Sequence, residues 1–196
     1  MFPTLSGIHL DGNYNHFAPT LQLSMPNMFN KNTRHLRVIT METPCTIDIA
    51  TAVTAHCIHL QRLSITIDKD ADSICQEITL HSKNLLSFKI LFLNGINMNS
   101  LMQSESIEDF FFSREPSVPC THTLPDMQFP LLRTLVYRIC YISEEQLLHI
   151  SKSCLGLVLL DIRCCITGPR SGIEKGLQAL WNCCKHMQDI RVPPRI

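Results

Sequence analysis

Apolar residues recur along the chain in one frame, apolar-x-x-apolar-x-apolar. It is filled by Leu5/Ile8/Leu10, Leu36/Ile39/Met41, Leu60/Leu63/Ile65, Leu85/Phe88/Ile90, Leu132/Leu135/Tyr137, Leu157/Leu160/Ile162 and Met187/Ile190/Val192, with a weaker copy at Ile107/Phe110/Phe112. Three apolar matches arise readily by chance in a chain that is 45% hydrophobic. The near-regular starts at 5, 36, 60, 85, 107, 132, 157 and 187 are what mark a repeat architecture. The last two apolar positions of each copy are two residues apart, which places both on one face of an extended segment. Short strands are therefore predicted to begin near 7, 38, 62, 87, 134, 159 and 189.

The segments between copies carry helical spacing. Ser143-Glu-Glu-Gln146 has the form of a capping box and leads into Leu147, Leu148, Ile150, Cys154 and Leu157. Ser171-Gly-Ile-Glu174 repeats the form ahead of Ile173, Leu177, Leu180, Trp181 and Cys184. Asp48 is a candidate cap for a helix bearing Ile49, Val53 and Cys57, and Ser73 for one bearing Ile74 and Ile78. Short strand, turn and helix then alternate too closely for an ordinary wound sheet. The predicted fold is α/β, a right-handed solenoid with short parallel strands on the concave face and helices on the convex face, one domain over 1–196 with about eight irregular repeats. Residues 94–128 are the irregular part, an irregular repeat or loop.

Cysteine has a place in the period. Asn13, Cys140 and Cys165 stand three residues after the last apolar position, where a small group can bond backbone freed at the strand end. Cys57, Cys154 and Cys184 stand three residues before the frame. The run Leu132-Arg-Thr-Leu-Val-Tyr-Arg-Ile-Cys140-Tyr-Ile-Ser143-Glu-Glu-Gln-Leu-Leu, with Cys154-Leu-Gly-Leu157 opening the next copy, resembles the cysteine-containing leucine-rich repeats of F-box proteins, a ribonuclease-inhibitor-like architecture. The likeness is best at 46–92 and 130–192. The stretch from Phe17 to Leu36, with Leu21, Leu23, Met25 and Phe29, looks like the solenoid start in fungal members. The resemblance implies a leucine-rich-repeat domain that holds a protein substrate for a ubiquitin ligase. A Skp-type linker and a cullin would be partners only if an F-box lies upstream, since no F-box helix pattern occurs within the sequence. A fragment of an F-box protein and a free-standing repeat scaffold both remain open. With Leu5, Ile8 and Leu10 bare on their outer side, the sequence leads us to expect poor solubility or fraying through about residue 34.

Composition narrows the partners. The chain has 196 residues, 17 Lys+Arg and 17 Asp+Glu, and the signs balance within each half, seven of each in 1–98 and ten of each in 99–196. Neither half has the basic excess that binding a phosphate backbone needs, so nucleic acid is not expected. The start MFPTLSGIHLDGNY lacks the cationic flank and apolar run of a secretory signal, and no later run reaches 18 uncharged apolar residues. An intracellular location, cytoplasmic or nuclear, with no membrane partner is expected, and the ten cysteines then read as reduced, small apolar residues.

Residues between the frame positions point away from the core by the same period-two rule. Those residues are Val38/Thr40/Glu42, Arg62/Ser64/Thr66, Ser87/Lys89/Leu91, Thr134/Val136/Arg138, Leu159/Asp161/Arg163 and Asp189/Arg191. Among them, Arg62, Ser64, Lys89, Arg138, Asp161, Arg163 and Arg191 are the candidate partner-binding residues on the concave face. They read either as a net basic patch or as a solvated ladder neutralised by Asp161 and Asp189. Cys164-Cys165 and Cys183-Cys184-Lys-His186 contain zinc-type ligands, but adjacent cysteines diverge and no Cys-x2-Cys pair exists, so no metal is expected. No cofactor motif is present. Gly168-Pro-Arg-Ser171-Gly172 is not a nucleophile elbow, and the nine histidines are scattered, so no catalytic residues are assigned. Around Phe110-Phe-Phe112, residues 94–128 read as a degenerate repeat followed by a loop, or as a projecting recognition loop; the inward fit of Phe110 and Phe112 favours the former.

Overall fold

A computed structural model describes residues 6–10, 25–93, 102–114, 127–138, 141–163, 166–167 and 171–193. Eight of its strands form one sheet: β1 (Gly7–Leu10), β2 (Val38–Pro44), β3 (Arg62–Ile67), β4 (Ser87–Phe92), β6 (Asp109–Arg114), β8 (Thr134–Tyr137), β10 (Leu159–Asp161) and β12 (Asp189–Arg191). They lie side by side in chain order, and every neighbouring pair is parallel. Seven strands start where the apolar frame predicts. The eighth, β6, comes from the weaker copy and sits as a full member between β4 and β8. Two small parallel pairs lie apart from this sheet: β5 (Met102–Gln103) with β7 (Met127–Gln128), and β9 (Tyr141–Ile142) with β11 (Ile166–Thr167).

The register aligns the frame across the sheet. Ile8, Ile39, Leu63, Phe88, Phe110, Leu135, Leu160 and Ile190 form one continuous row; in the next, Leu10 pairs with Met41, and Ile65, Ile90, Phe112 and Tyr137 run on from β3. Away from the two sheet edges these side chains are buried. Their middle is aromatic. Phe88 lies 5.9 Å from Phe110, Phe110 meets Phe129 edge-on at 5.4 Å, and Phe112 lies 4.7 Å from Phe92 and 5.0 Å from Tyr137. These offset and tilted geometries suit the ring quadrupoles.

Each strand is keyed to the next at its start. The carbonyl of Gln61 accepts from the N–H groups of both Leu86 and Ser87, and those of Ser6, Arg37, Leu86, Glu108, Arg133 and Val158 each accept the equivalent pair from the following strand. A tight turn precedes this point, in which the N–H of the first frame residue donates back three residues: Leu60 to Cys57, Leu157 to Cys154 and Met187 to Cys184. Thr33, Ser82 and Phe129 hold the same place before Leu36, Leu85 and Leu132. Cys57, Cys154 and Cys184 are therefore turn residues facing the core. All three are buried free thiols, and the Cys184 thiol donates to the Cys154 carbonyl at 3.4 Å. Cys45 and Cys75 are also buried, whereas Cys183 is exposed. Asn13, Cys140 and Cys165 lie outside the described residues.

Helices α1 (Ile47–His56), α2 (Ala71–His81), α3 (Glu144–Ser153) and α4 (Ser171–Cys183) bury one stripe each against the same core. The capping box at Ser143 is formed: its hydroxyl accepts from the Gln146 N–H at 3.2 Å and its own N–H donates to Gln146 Oε1 at 2.8 Å. Two other expected caps are corrected. Thr46, not Asp48, caps α1 by accepting from the Ile49 N–H, and Asp48 falls in the first turn. Asp70, not Ser73, precedes α2; it takes the left-handed conformation (φ 56°), which short polar side chains tolerate, and makes no side-chain cap bond. On α4, Ile173, Leu177 and Leu180 face inward, as does Cys184 just past its end, but Trp181 points out and is 57% exposed.

Buried Gly176 lets α4 approach α3, because a Cβ there would sit 2.6 Å from Leu147 Cβ and 3.2 Å from the Glu144 carbonyl. Gly176→Ala gains about 1 kcal/mol of helix propensity but incurs about 1–3 kcal/mol of overpacking, so a net loss is expected. Leu135→Ala and Leu160→Ala, both at positions with 0% exposure, should each cost about 2–5 kcal/mol. Urea denaturation midpoints measure all three, and unchanged midpoints would place these residues outside the core.

The thiols supply an independent check. Burial pushes Cys45 and Cys154 up to about 12, and raises Cys75, Cys57 and Cys184 as well. A raised thiol value favours the folded state below the unfolded value of about 8.5, and that contribution is lost as pH rises toward the folded value. Among the described cysteines, site-resolved alkylation of the native chain at pH 8 should modify Cys183 first and leave Cys45, Cys75 and Cys154 protected. Uniform rapid modification would contradict the packing.

Candidate functional site

The rows between the inward ones form the outer face of the sheet. Gly7, Val38, Arg62, Ser87, Asp109, Thr134, Leu159 and Asp189 make the first, and His9, Thr40, Ser64, Lys89, Phe111, Val136, Asp161 and Arg191 make the second. A hollow of about 420 Å³ opens on this face over β2 to β8. Arg62, Ser64, Lys89 and Arg138, four of the seven sequence candidates, line it. Arg62, Lys89 and Arg138 are exposed, while Ser64 is half-buried. From the outward rows its apolar lining comes from Val38, Phe111 and Val136.

The other three candidates form a separate ion network. Asp161 is only 2% exposed although it stands in an outward row. Arg163 holds it from two nitrogens, Nε to Oδ1 at 3.0 Å and Nη2 to Oδ2 at 2.7 Å, and the Arg163 backbone N–H adds a third bond at 3.2 Å. That backbone bond is an Asx-type turn, and β10 ends there. Arg191 approaches Asp161 from the neighbouring strand at 4.0 Å and is itself bound by Asp189 at 2.6 Å. The hydrogen bond from Arg163, with help from nearby Arg138, holds the Asp161 carboxyl below the usual carboxylate range. The neutralised-ladder reading thus describes β10 to β12, and the basic reading describes the hollow.

Sequence reasoning did not assign Phe111 to the face. The signal was there, since Phe111 is the odd position between frame residues Phe110 and Phe112. A run of three phenylalanines gives no polar contrast to show which one faces out. At the opposite end Glu42 lies 3.8 Å from His9 across β1 and β2. β2 and β3 slip in register between Thr40 and Pro44, so Pro44 rather than Glu42 stands beside Thr66. Thr66, expected on the outer face, is buried and its hydroxyl donates to the Met41 carbonyl.

Among the described residues no group of three or more His, Cys, Asp or Glu side chains is placed to hold a metal ion, and no helix is long and apolar enough to cross a membrane. Compared with known proteins, the chain matches no protein-family model and no curated protein sequence.

The Asp161 network predicts an acid-sensitive contribution. A depressed folded-state value stabilises the fold above the unfolded value of about 3.9, and the contribution is lost as pH falls through the lower folded value. Asp161→Asn should cost about 1–2 kcal/mol at pH 7, the half-exposed Arg163 limiting the figure. The gap from the parent chain should close below about pH 4. Paired urea titrations at pH 7, 5 and 3 measure it, and a pH-independent gap would remove the charge from the explanation.

Proposed function

We propose that the chain is a non-enzymatic protein-interaction module, a right-handed leucine-rich-repeat solenoid whose concave face carries the outward rows and whose convex side carries the helices. One observation supports this above the others: eight short parallel strands in chain order leave one face with a cation-lined, partly apolar hollow while the helices bury their stripes against the other. A parallel sheet ordinarily has both faces covered. A sheet face left to solvent along its length is what a solenoid uses to hold a partner. By its cysteine pattern the module is similar to the substrate-receptor part of F-box proteins, and in that setting it would position a protein for ubiquitin transfer by a ligase that other subunits supply.

Two measurements separate the parts of this reading. A benzophenone amino acid in place of Ser64, on the proposed binding face, should crosslink a partner that the same group in place of Thr51, exposed on α1, does not. Capture from Thr51 alone would move the interface to the helices. Expression with the segment encoded directly upstream should bring a Skp-type linker through purification. Its absence would leave a free-standing scaffold.

A further inference from the structure

The hollow holds more positive charge than it answers. Arg62, Lys89 and Arg138 make no ion pair among the described residues. Of the carboxylates on the same face, Asp161 is bound by Arg163 and Arg191 and attracts Arg138 only from a distance, Asp189 is bound by Arg191, and Glu42 lies toward His9 at the far edge. Asp109 stands in the row of Arg62 but with Ser87 between them, outside the lining of the hollow. The chain as a whole is neutral. The local excess is therefore a property of this place and not of the composition.

The register gives the cations a spacing. Lys89 is one strand over and two residues along from Arg62, since Arg62 pairs with Ser87 and Ser64 with Lys89. Arg138 lies two strands beyond Lys89 and two residues further along, since Lys89 pairs with Phe111, Phe111 with Val136, and Arg138 follows Tyr137. With strands about 4.8 Å apart and a rise of about 3.3 Å per residue, the two steps are about 8 Å and about 12 Å between backbones. Charges set out along such a diagonal suit several separated anions better than one compact dianion. An extended peptide covers the steps in about two and about three to four residues. Phe111 lies between Lys89 and Val136, at the apolar floor of the longer step.

We propose that the hollow takes an extended acidic segment of a protein partner, with carboxylates meeting Arg62, Lys89 and Arg138 and an apolar side chain laid on Phe111 between the last two. The assignment rests on the reading of this face as a protein-binding surface. It adds the chemistry of what binds there.

The test uses the full chain and a fluorescein-labelled peptide carrying three glutamates spaced by two and then four residues, with a leucine between the last two. Comparison peptides have glutamine at all three places, or a single phosphoserine at the middle one with glutamine at the others. The acidic peptide should bind, the glutamine peptide about tenfold or more weakly, and affinity should fall on going to about 0.3 M salt. Lys89→Glu and Arg138→Glu should each weaken binding about tenfold, whereas Lys175→Glu, at an exposed position of α4, should change it less than about twofold. Circular dichroism and urea midpoints confirm that the variants are folded. Equal binding of the glutamine peptide, or preference for the phosphoserine peptide, would overturn the acidic assignment. Failure of all three peptides while Ser64 crosslinks a face-bound partner would overturn it alone. Failure of the Ser64 crosslink would remove the underlying reading with it.

Discussion

Parallel register is the constraint on which the rest of this structure depends. A parallel pair exchanges backbone hydrogen bonds at even spacing, and here one carbonyl at each strand start accepts two N–H groups from the next strand, seven times over. That keying fixes the register at every strand start, and the shift between β2 and β3 comes only further along. A slip by one residue would exchange the inward rows for the outward ones and drive Arg62, Lys89 and Asp161 toward the core. The tight turn with its three-residue back-bond sets the level at which each strand enters, and the thiols of Cys57, Cys154 and Cys184 belong to that turn because a small, weakly polar group fits there without needing a strong partner.

Electrostatics follows from the same alignment. Asp161 and Arg191 share a row and Arg163 follows two residues after Asp161, so the aspartate is wrapped by guanidinium groups and can be buried in charged form. Among the described residues no carboxylate forms an ion pair with Arg62, Lys89 or Arg138, and Asp161 attracts Arg138 only from a distance. The face thus divides into a self-neutralised end and an open basic middle, within a chain of zero net charge.

Strand positions were legible from the chain because they depend on a local rule: two apolar residues at period two, at regular intervals, have one sensible place to go. The Ser143 capping box was legible for the same reason, since its partners are three residues apart. Caps at Thr46 and Asp70 were not, because several polar residues precede each helix and the helix start is decided by where the preceding strand delivers the chain. Trp181 was misplaced by helical spacing alone. Its neighbours Leu177 and Leu180 turn inward, and nothing in the spacing says how wide the buried stripe is.

The candidate residues divide along the same line. Their outward direction was determined by the sequence, because alternation along a strand is intrinsic to the backbone. Which of them are paired was decided only by the tertiary structure. Asp161 could neutralise Arg138, Arg163 or Arg191 in any one-dimensional reading, and strand neighbours and side-chain reach give its close contacts to the last two, with Arg138 acting from farther off. The slip that sets Pro44 beside Thr66 likewise arises only between paired strands. Periodicity states what each segment prefers, and only the packed sheet states which segment stands next to it.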